Sequence, residues 1–187
     1  MTEVEPGIVT VIVGKAGTGK TSLCLFLARN AKKPYFIDTE GLSLNRVKQI
    51  GVEHIKIAKV REFEEQINLI EKFNFDTDLL IVDSLVLLYR MRIHEDPNKV
   101  NALLAKQISR LHSLAEEKNI PVIVTGHVYK KDDKLHIVGG DIVKYWAKII
   151  ILLKKTGFGK RKAILVKHRS RPEQSNCKFK LCNKGIC

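Results

Sequence analysis

Eight consecutive residues have the composition and spacing of a triphosphate cradle. Gly14-Lys15-Ala16-Gly17-Thr18-Gly19-Lys20-Thr21 fits G-x-x-x-x-G-K-[ST] without a mismatch. Glycines let successive backbone N–H groups curl toward phosphate oxygens without Cβ clashes. The helix that follows adds the positive end of its dipole. Lys20 is spaced to reach the β- and γ-phosphates, and the Thr21 hydroxyl to ligand Mg²⁺, with Ser22 next in the nucleotide-facing set. The ligand expected from this stretch is therefore a nucleoside triphosphate with Mg²⁺. A glycine-rich turn that binds nothing is the bland alternative.

Two carboxylates extend the chemistry. Leu79-Leu80-Ile81-Val82-Asp83 is four aliphatics ending in an acid, the way a strand presents a carboxylate to a magnesium ion, directly or through water. The residue after Asp83 is Ser84, so a water-activating base cannot come from the position where many ATPases carry a glutamate. Glu40, at the end of Tyr35-Phe36-Ile37-Asp38-Thr39, is the candidate base, because that strand end faces the phosphates in a parallel sheet. A capping or solvated glutamate is the competing reading.

These residues need a sheet to hold them, and the chain alternates accordingly. Residues 8–13, 35–38, 54–58, 79–83 and 121–125 read as strands. Residues 20–30 read as a helix, and a short one starts at Ser43 and ends at Gly51. Phe63, Ile67, Ile70 and Phe73 recur at helical spacing. Asp96-Pro97 starts a longer helix, with Val100, Leu103, Leu104, Ile108, Leu111 and Ala115 on one face. Beyond residue 125 the helical pattern stops, and 148–154, 163–167 and 176–181 read as strands joined by turns. The expected fold class is α/β: a mostly parallel central sheet flanked by helices, with an antiparallel strand extension at the end. Ligands of such sheets bind at the carboxyl ends of the strands.

Composition narrows the class further. The chain has 187 residues, the length of one domain, and 44% of them are hydrophobic, enough for a core. Glycine and proline, 12 and 5 residues, exclude collagen-like and low-complexity chains. The longest aliphatic run, residues 149–153, is too short to span a bilayer, and the opening residues 1–7 are acidic and polar. The expectation is a soluble, cytoplasmic protein. The net charge is +13, from 33 basic and 20 acidic residues. Residues 129–187 hold 16 of the basic and only 4 of the acidic ones. That asymmetry points to a polyanion partner, nucleic acid first, although a lysine-rich surface gives the same count. Cys24, Cys177, Cys182 and Cys187 have no zinc-ribbon spacing. In an intracellular chain they are expected to be ordinary strand and tail cysteines without a disulfide framework.

Asp38-Thr39-Glu40-Gly41, Val82-Asp83-Ser84, Leu88-Tyr89-Arg90 and Gly139-Gly140 together resemble the ATPase core of the RecA/Rad51/RadA recombinase family. Asn119-Ile120-Pro121-Val122-Ile123-Val124 and Lys167-His168-Arg169-Ser170-Arg171-Pro172-Glu173 resemble its archaeal RadB branch. The likeness runs from about residue 7 to residue 186. It implies a single RecA-like ATPase domain over 1–187, with no room for the family's helical DNA-binding domain before the phosphate loop. It implies ATP as the nucleotide, Glu40 as catalytic base, Arg46 against adenine, and His127 where the family places a γ-phosphate-sensing glutamine or asparagine. His127 and the absence of an F-x-x-A polymerisation motif imply weak hydrolysis and no ordinary filament.

The resemblance also implies two DNA-holding loops, residues 90–99 and 129–140. Arg90, Arg92, Lys130, Lys131 and Lys134 would face phosphates there, and Tyr129 would stack on a base or pack. Lys144, Lys148, Arg169 and Arg171 would extend that basic path. Implied partners are DNA and a RadA-type recombinase; the implied activity is slow, DNA-related ATP hydrolysis in recombination and repair. Two other readings stay open: a mediator that uses ATP only as a latch, and a P-loop small-molecule kinase.

Overall fold

The computed structural model describes residues 4–187; residues 1–3, part of the acidic opening segment, lie outside it. Eleven strands and six helices follow one another as β1 (Val9–Gly14), α1 (Lys20–Ala28), β2 (Pro34–Asp38), α2 (Leu44–Ile50), β3 (Lys56–Lys59), α3 (Phe63–Glu71), β4 (Leu79–Asp83), α4 (Leu87–Arg92), α5 (Pro97–Lys118), β5 (Val122–Gly126), β6 (Val128–Lys131), β7 (Lys134–Ile137), α6 (Gly140–Trp146), β8 (Ile149–Lys155), β9 (Lys160–Lys167), β10 (Asn176–Cys182) and β11 (Gly185–Ile186). Nine strands form one sheet in the order β11-β10-β9-β8-β1-β5-β4-β2-β3. From β3 to β8 neighbouring strands are parallel; β9, β10 and β11 add antiparallel. This is the α/β architecture the alternating pattern predicts.

Strand β1 sits between β5 and β8 and is buried along its whole length, which is why it reads as an unbroken β-branched run. Its residues alternate between two cores. Val9, Val11 and Val13 join Phe63, Ile70, Leu104, Ile108 and Leu111 on the α3–α5 side. Ile12 joins Leu23, Leu27, Val47 and Ile50 on the α1–α2 side. The sheet is thus clamped from both faces, and its strand ends are held rigidly.

Local signals act where expected. Ser43 accepts the Arg46 N–H at 3.3 Å, and Gly51 closes α2 in the left-handed region at φ 74°. Asp96 accepts the Lys99 N–H at 3.0 Å ahead of Pro97. Three features differ from the sequence reading. Residues 87–92 are helical, so the first basic loop shrinks to the turn before α5. Residues 128–137 form the β6–β7 hairpin rather than an irregular loop. Helix α6 was invisible because it is seven residues long and buries only Val143, too little for a periodic pattern.

The cysteine expectation also needs correction: Cys182 and Cys187 are joined by a disulfide, while Cys24 and Cys177 are free. The two-residue β11 folds straight back on β10, bringing positions five apart to a Cα–Cα distance of 6.2 Å. No helix is long and apolar enough to cross a membrane among the described residues.

Candidate nucleotide site

The phosphate loop joins β1 to α1 at the carboxyl edge of the sheet. Two glycines are required by its tightness. A Cβ on Gly14 would lie 2.5 Å from Thr18 Oγ1 and 2.9 Å from the Leu153 carbonyl oxygen. Gly19 caps α1 at φ 96°, a left-handed conformation that side chains disfavour. Lys20 is buried, and its ammonium donates to the carbonyls of Gly14 and Lys15 at 3.3 and 3.5 Å. No carboxylate forms an ion pair with it among the described residues. A buried ammonium satisfied only by carbonyls fits an anionic ligand.

The ends of β4 and β2 lie beside this loop. Thr21 Oγ1 donates to Asp83 Oδ2 at 2.5 Å, and Thr125 Oγ1, from β5, donates to Asp83 Oδ1. Burial pushes the Asp83 carboxyl above the usual range, against the pull of the two threonine hydroxyls. The all-oxygen pair of Thr21 and Asp83 suits a hard cation such as Mg²⁺. Thr39 binds β2 to β4: its N–H donates to the Asp83 carbonyl, its hydroxyl donates to the Ser84 carbonyl at 2.9 Å, and it accepts the Ser84 N–H at 2.8 Å. Asp38 accepts the N–H groups of Gly41 and Leu42 at 2.7 and 2.9 Å, which turns the chain so that Glu40 faces the cleft.

Glu40 meets His127 there: Oε1 and Nε2 are 2.6 Å apart, although the residues are 87 positions apart. That hydrogen bond is the main reason the Glu40 carboxyl is held below its usual range. The cleft, about 290 Å³, is lined by Gly17, Lys20, Thr21, Glu40, His127 and Leu181 among others. Glu40, Lys20 and Thr21 therefore share one cleft, and Thr21 joins Asp83 to it. Arg46 is less free than the resemblance implied. It donates to the carbonyls of Asn183 and Gly185 at 3.2 and 3.4 Å and to Ser22 Oγ at 3.4 Å, beside the phosphate loop.

Arg161 escaped sequence reading. It is 9% exposed on β9, and its guanidinium donates to the carbonyls of Thr18 and Gly17, both at 3.1 Å, from behind the loop. Turning those carbonyls outward leaves the loop's N–H groups free to face the cleft. The only sequence signal is an arginine two residues before Ala163, on the same strand face, in a run of lysines that masks it.

The basic residues divide into two groups. Arg90 and Arg92 on α4, with Lys130, Lys131 and Lys134 on the β6–β7 hairpin, follow the carboxyl ends of β4 and β5. Arg92 is paired with Glu64 and Glu95, and Lys130 with Asp133. Tyr129 is half exposed and stacks on His136. Arg169 and Arg171 do not extend this path. Strand β9 runs back along β8, pairing Lys167 with Ile150, so both arginines lie at the amino edge, where Arg169 binds Glu5 at 2.7 Å. Lys144 and Lys148 precede β8 at that same edge. The seven residues of β8 separate the edges by about 20 Å. Unforeseen lysines take their place: the register aligns Lys154, Lys162 and Lys178 across β8, β9 and β10 on one face, and pairs Lys160 with Lys180. Lys15, Lys130, Lys154 and Lys155 line a neighbouring cleft of about 540 Å³.

The AAA domain family model matches residues 7–150. The DNA repair and recombination protein RadB of Methanococcoides burtonii is 40% identical over 201 aligned residues, covering 97% of this chain and 89% of that protein. The chain belongs to the RadB family. The RadB of Methanocaldococcus jannaschii is 36% identical, covering 97% of this chain and 93% of its own. The crystal structure of a RadB recombinase superposes with a TM-score of 0.87 at 30% identity, covering 98% of this chain and 91% of that one. The RadB chain described here is accordingly a RecA-family recombinase paralogue with a nucleotide-binding P-loop core.

Proposed function

We propose that this RadB chain, as a single RecA-like domain, binds Mg·ATP and DNA, hydrolyses ATP slowly, and assists a RadA-type recombinase in recombination and repair. The observation that carries the reading is the convergence of Lys20, Thr21–Asp83 and Glu40 on one cleft. Thr21 and Asp83 would hold Mg²⁺, which would supply charge neutralisation for the triphosphate. Lys20 and the loop N–H groups bind the triphosphate and stabilise charge that builds on the leaving oxygen. Glu40 orients a water molecule and takes its proton as the water oxygen bonds to the γ-phosphorus and the β–γ bridge breaks, giving ADP and phosphate.

His127 sets the pace in this scheme. Its Nε2 lies 2.6 Å from Glu40 Oε1, so in this scheme the base works only once His127 releases it. The same histidine's carbonyl accepts the Val138 N–H at 2.9 Å, at the foot of the lysine-bearing hairpin. That link supports a dependence of hydrolysis on DNA. The hairpin lysines and the three-strand lysine row face phosphates in this reading. The occupied base also favours the latch reading, in which ATP binds and is barely turned over.

Purified protein with and without single-stranded DNA tests both. Lys20→Ala should abolish nucleotide binding. Glu40→Gln should keep binding and lose at least about 100-fold in turnover. Unchanged turnover in Glu40→Gln removes the base assignment, and no turnover in the parent leaves the latch. The log–log salt slope of DNA binding should be several units negative; a flat slope would defeat the lysine path.

A further inference from the structure

The β10–β11 hairpin joins two parts of the nucleotide cleft through a covalent ring. Leu181 lines the cleft against Gly19, where an added Cβ would lie 3.0 Å from Leu181 Cδ2. The next residue, Cys182, is bonded to Cys187. Inside that ring, Asn183 and Gly185 present the carbonyls that hold Arg46, which in turn reaches Ser22 of α1. Gly185 also nests against Ile50 and Phe26, with room for no more than ordinary contact. The pairing that supports this arrangement is short: Leu181 with Ile186, Cys182 with Gly185, and two bonds between Lys180 and Cys187. A hairpin arm this brief is marginal by itself, so the cross-link determines how firmly the two carbonyls are held.

We propose that Cys182–Cys187 is a thiol–disulfide exchange site whose state sets the affinity of the nucleotide cleft. The inference rests on the nucleotide reading above. Its reaction partner is a dithiol reductant, and access is open because Cys187 is exposed and Cys182 half-buried. A thiolate of the dithiol attacks Cys187 Sγ, forming a mixed disulfide. The Cys182–Cys187 bond breaks, and its electron pair leaves on Cys182 Sγ, which takes up a proton. The reductant's second thiolate then displaces Cys187, which is protonated in turn, and the reductant leaves as its own disulfide. Two electrons and two protons reach the protein, and the reductant is oxidised; an oxidised dithiol runs the sequence in reverse. With the ring open, Asn183 and Gly185 no longer fix Arg46, and the wall carrying Leu181 loosens. The closed ring is the preorganised, tighter-binding state.

The test uses the full chain and a fluorescent ATP analogue with Mg²⁺. Alkylation of air-oxidised, denatured protein followed by mass spectrometry should label Cys24 and Cys177 only; after dithiothreitol it should label all four cysteines. Reduction should weaken binding of the analogue roughly fivefold, the cost of ordering about one long side chain. The double substitution C182S/C187S should bind like the reduced parent and ignore dithiothreitol. Reducing the parent makes the same comparison without any substitution. Four labelled thiols in the oxidised protein, or equal affinity in two states shown to differ at the disulfide, would overturn the proposal. Absence of binding in both states would overturn the nucleotide reading and this proposal with it.

Discussion

Asp83→Asn should make the ligand-free protein more stable at neutral pH while abolishing its response to Mg·ATP. Asp83 is 2% exposed at the end of β4, and the only hydrogen-bond donors to its carboxylate among the described residues are the hydroxyls of Thr21 and Thr125. Burial is the dominant influence and raises its pKa; the two hydroxyl bonds oppose it, and the charge of Glu40 adds to it. An acid whose folded pKa lies above its unfolded value binds protons more tightly when folded. It therefore subtracts stability at pH above both values, and the penalty vanishes as pH falls below them. Each unit of elevation is worth about 1.4 kcal/mol. Asparagine keeps the shape, keeps one acceptor and can donate to a threonine oxygen, so little is lost in exchange. A net gain in stability at pH 7.5 follows, and each kcal/mol of it raises Tm by roughly 2–4 °C for a domain of this size. Thermal unfolding of both proteins in chelator measures it at pH 7.5 and again near pH 4, where the gap should narrow. Mg·ATP should then raise the parent's Tm and leave the variant's unchanged. A variant less stable than the parent at pH 7.5 without ligand, or a gap that widens toward acid, would refute the reasoning.

Further outcomes follow from the same site. His127→Ala removes the hydrogen bond that does most to depress the Glu40 pKa. Glu40 acts as a base only above its pKa, so the acid limb of the kcat/KM profile, which reports the protein before nucleotide binds and His127 lets go, should move to higher pH in the variant; an unmoved limb would separate His127 from the base. Arg161→Met removes the donors to Gly17 and Thr18, and should weaken ATP binding about tenfold, with Arg161→Lys recovering part of it. Titration calorimetry decides, and an unchanged affinity for ATP in Arg161→Met would mean that the loop holds its shape without the arginine.

Much of the site was legible because its parts are local. The glycines, Lys20 and Thr21 work through backbone conformation over eight residues, and Asp83 announces itself by ending an aliphatic strand. The β–α alternation then places Asp83 and Glu40 at the carboxyl edge, since parallel strands must all end on one side. The helices with strong periodicity or caps, α2 and α5, were equally plain. Short elements were not: α4 and α6 run only six and seven residues, and the β6–β7 hairpin is mostly exposed, too little in each case to leave a hydrophobic period.

The sequence by itself determined the phosphate loop, the two acids and the layered α/β class, because each follows from composition and spacing within one or two elements. Only the tertiary structure decided which distant groups meet. His127 reaches Glu40 because β5 and β2 flank β4, and Arg161 reaches the phosphate loop because β9 turns back along β8. The same reversal carries Arg169 and Arg171 to the far edge and lines up lysines from three strands near the loop. Strand direction and register are set by which faces must be buried against which helices, a property of the whole core that no local spacing encodes.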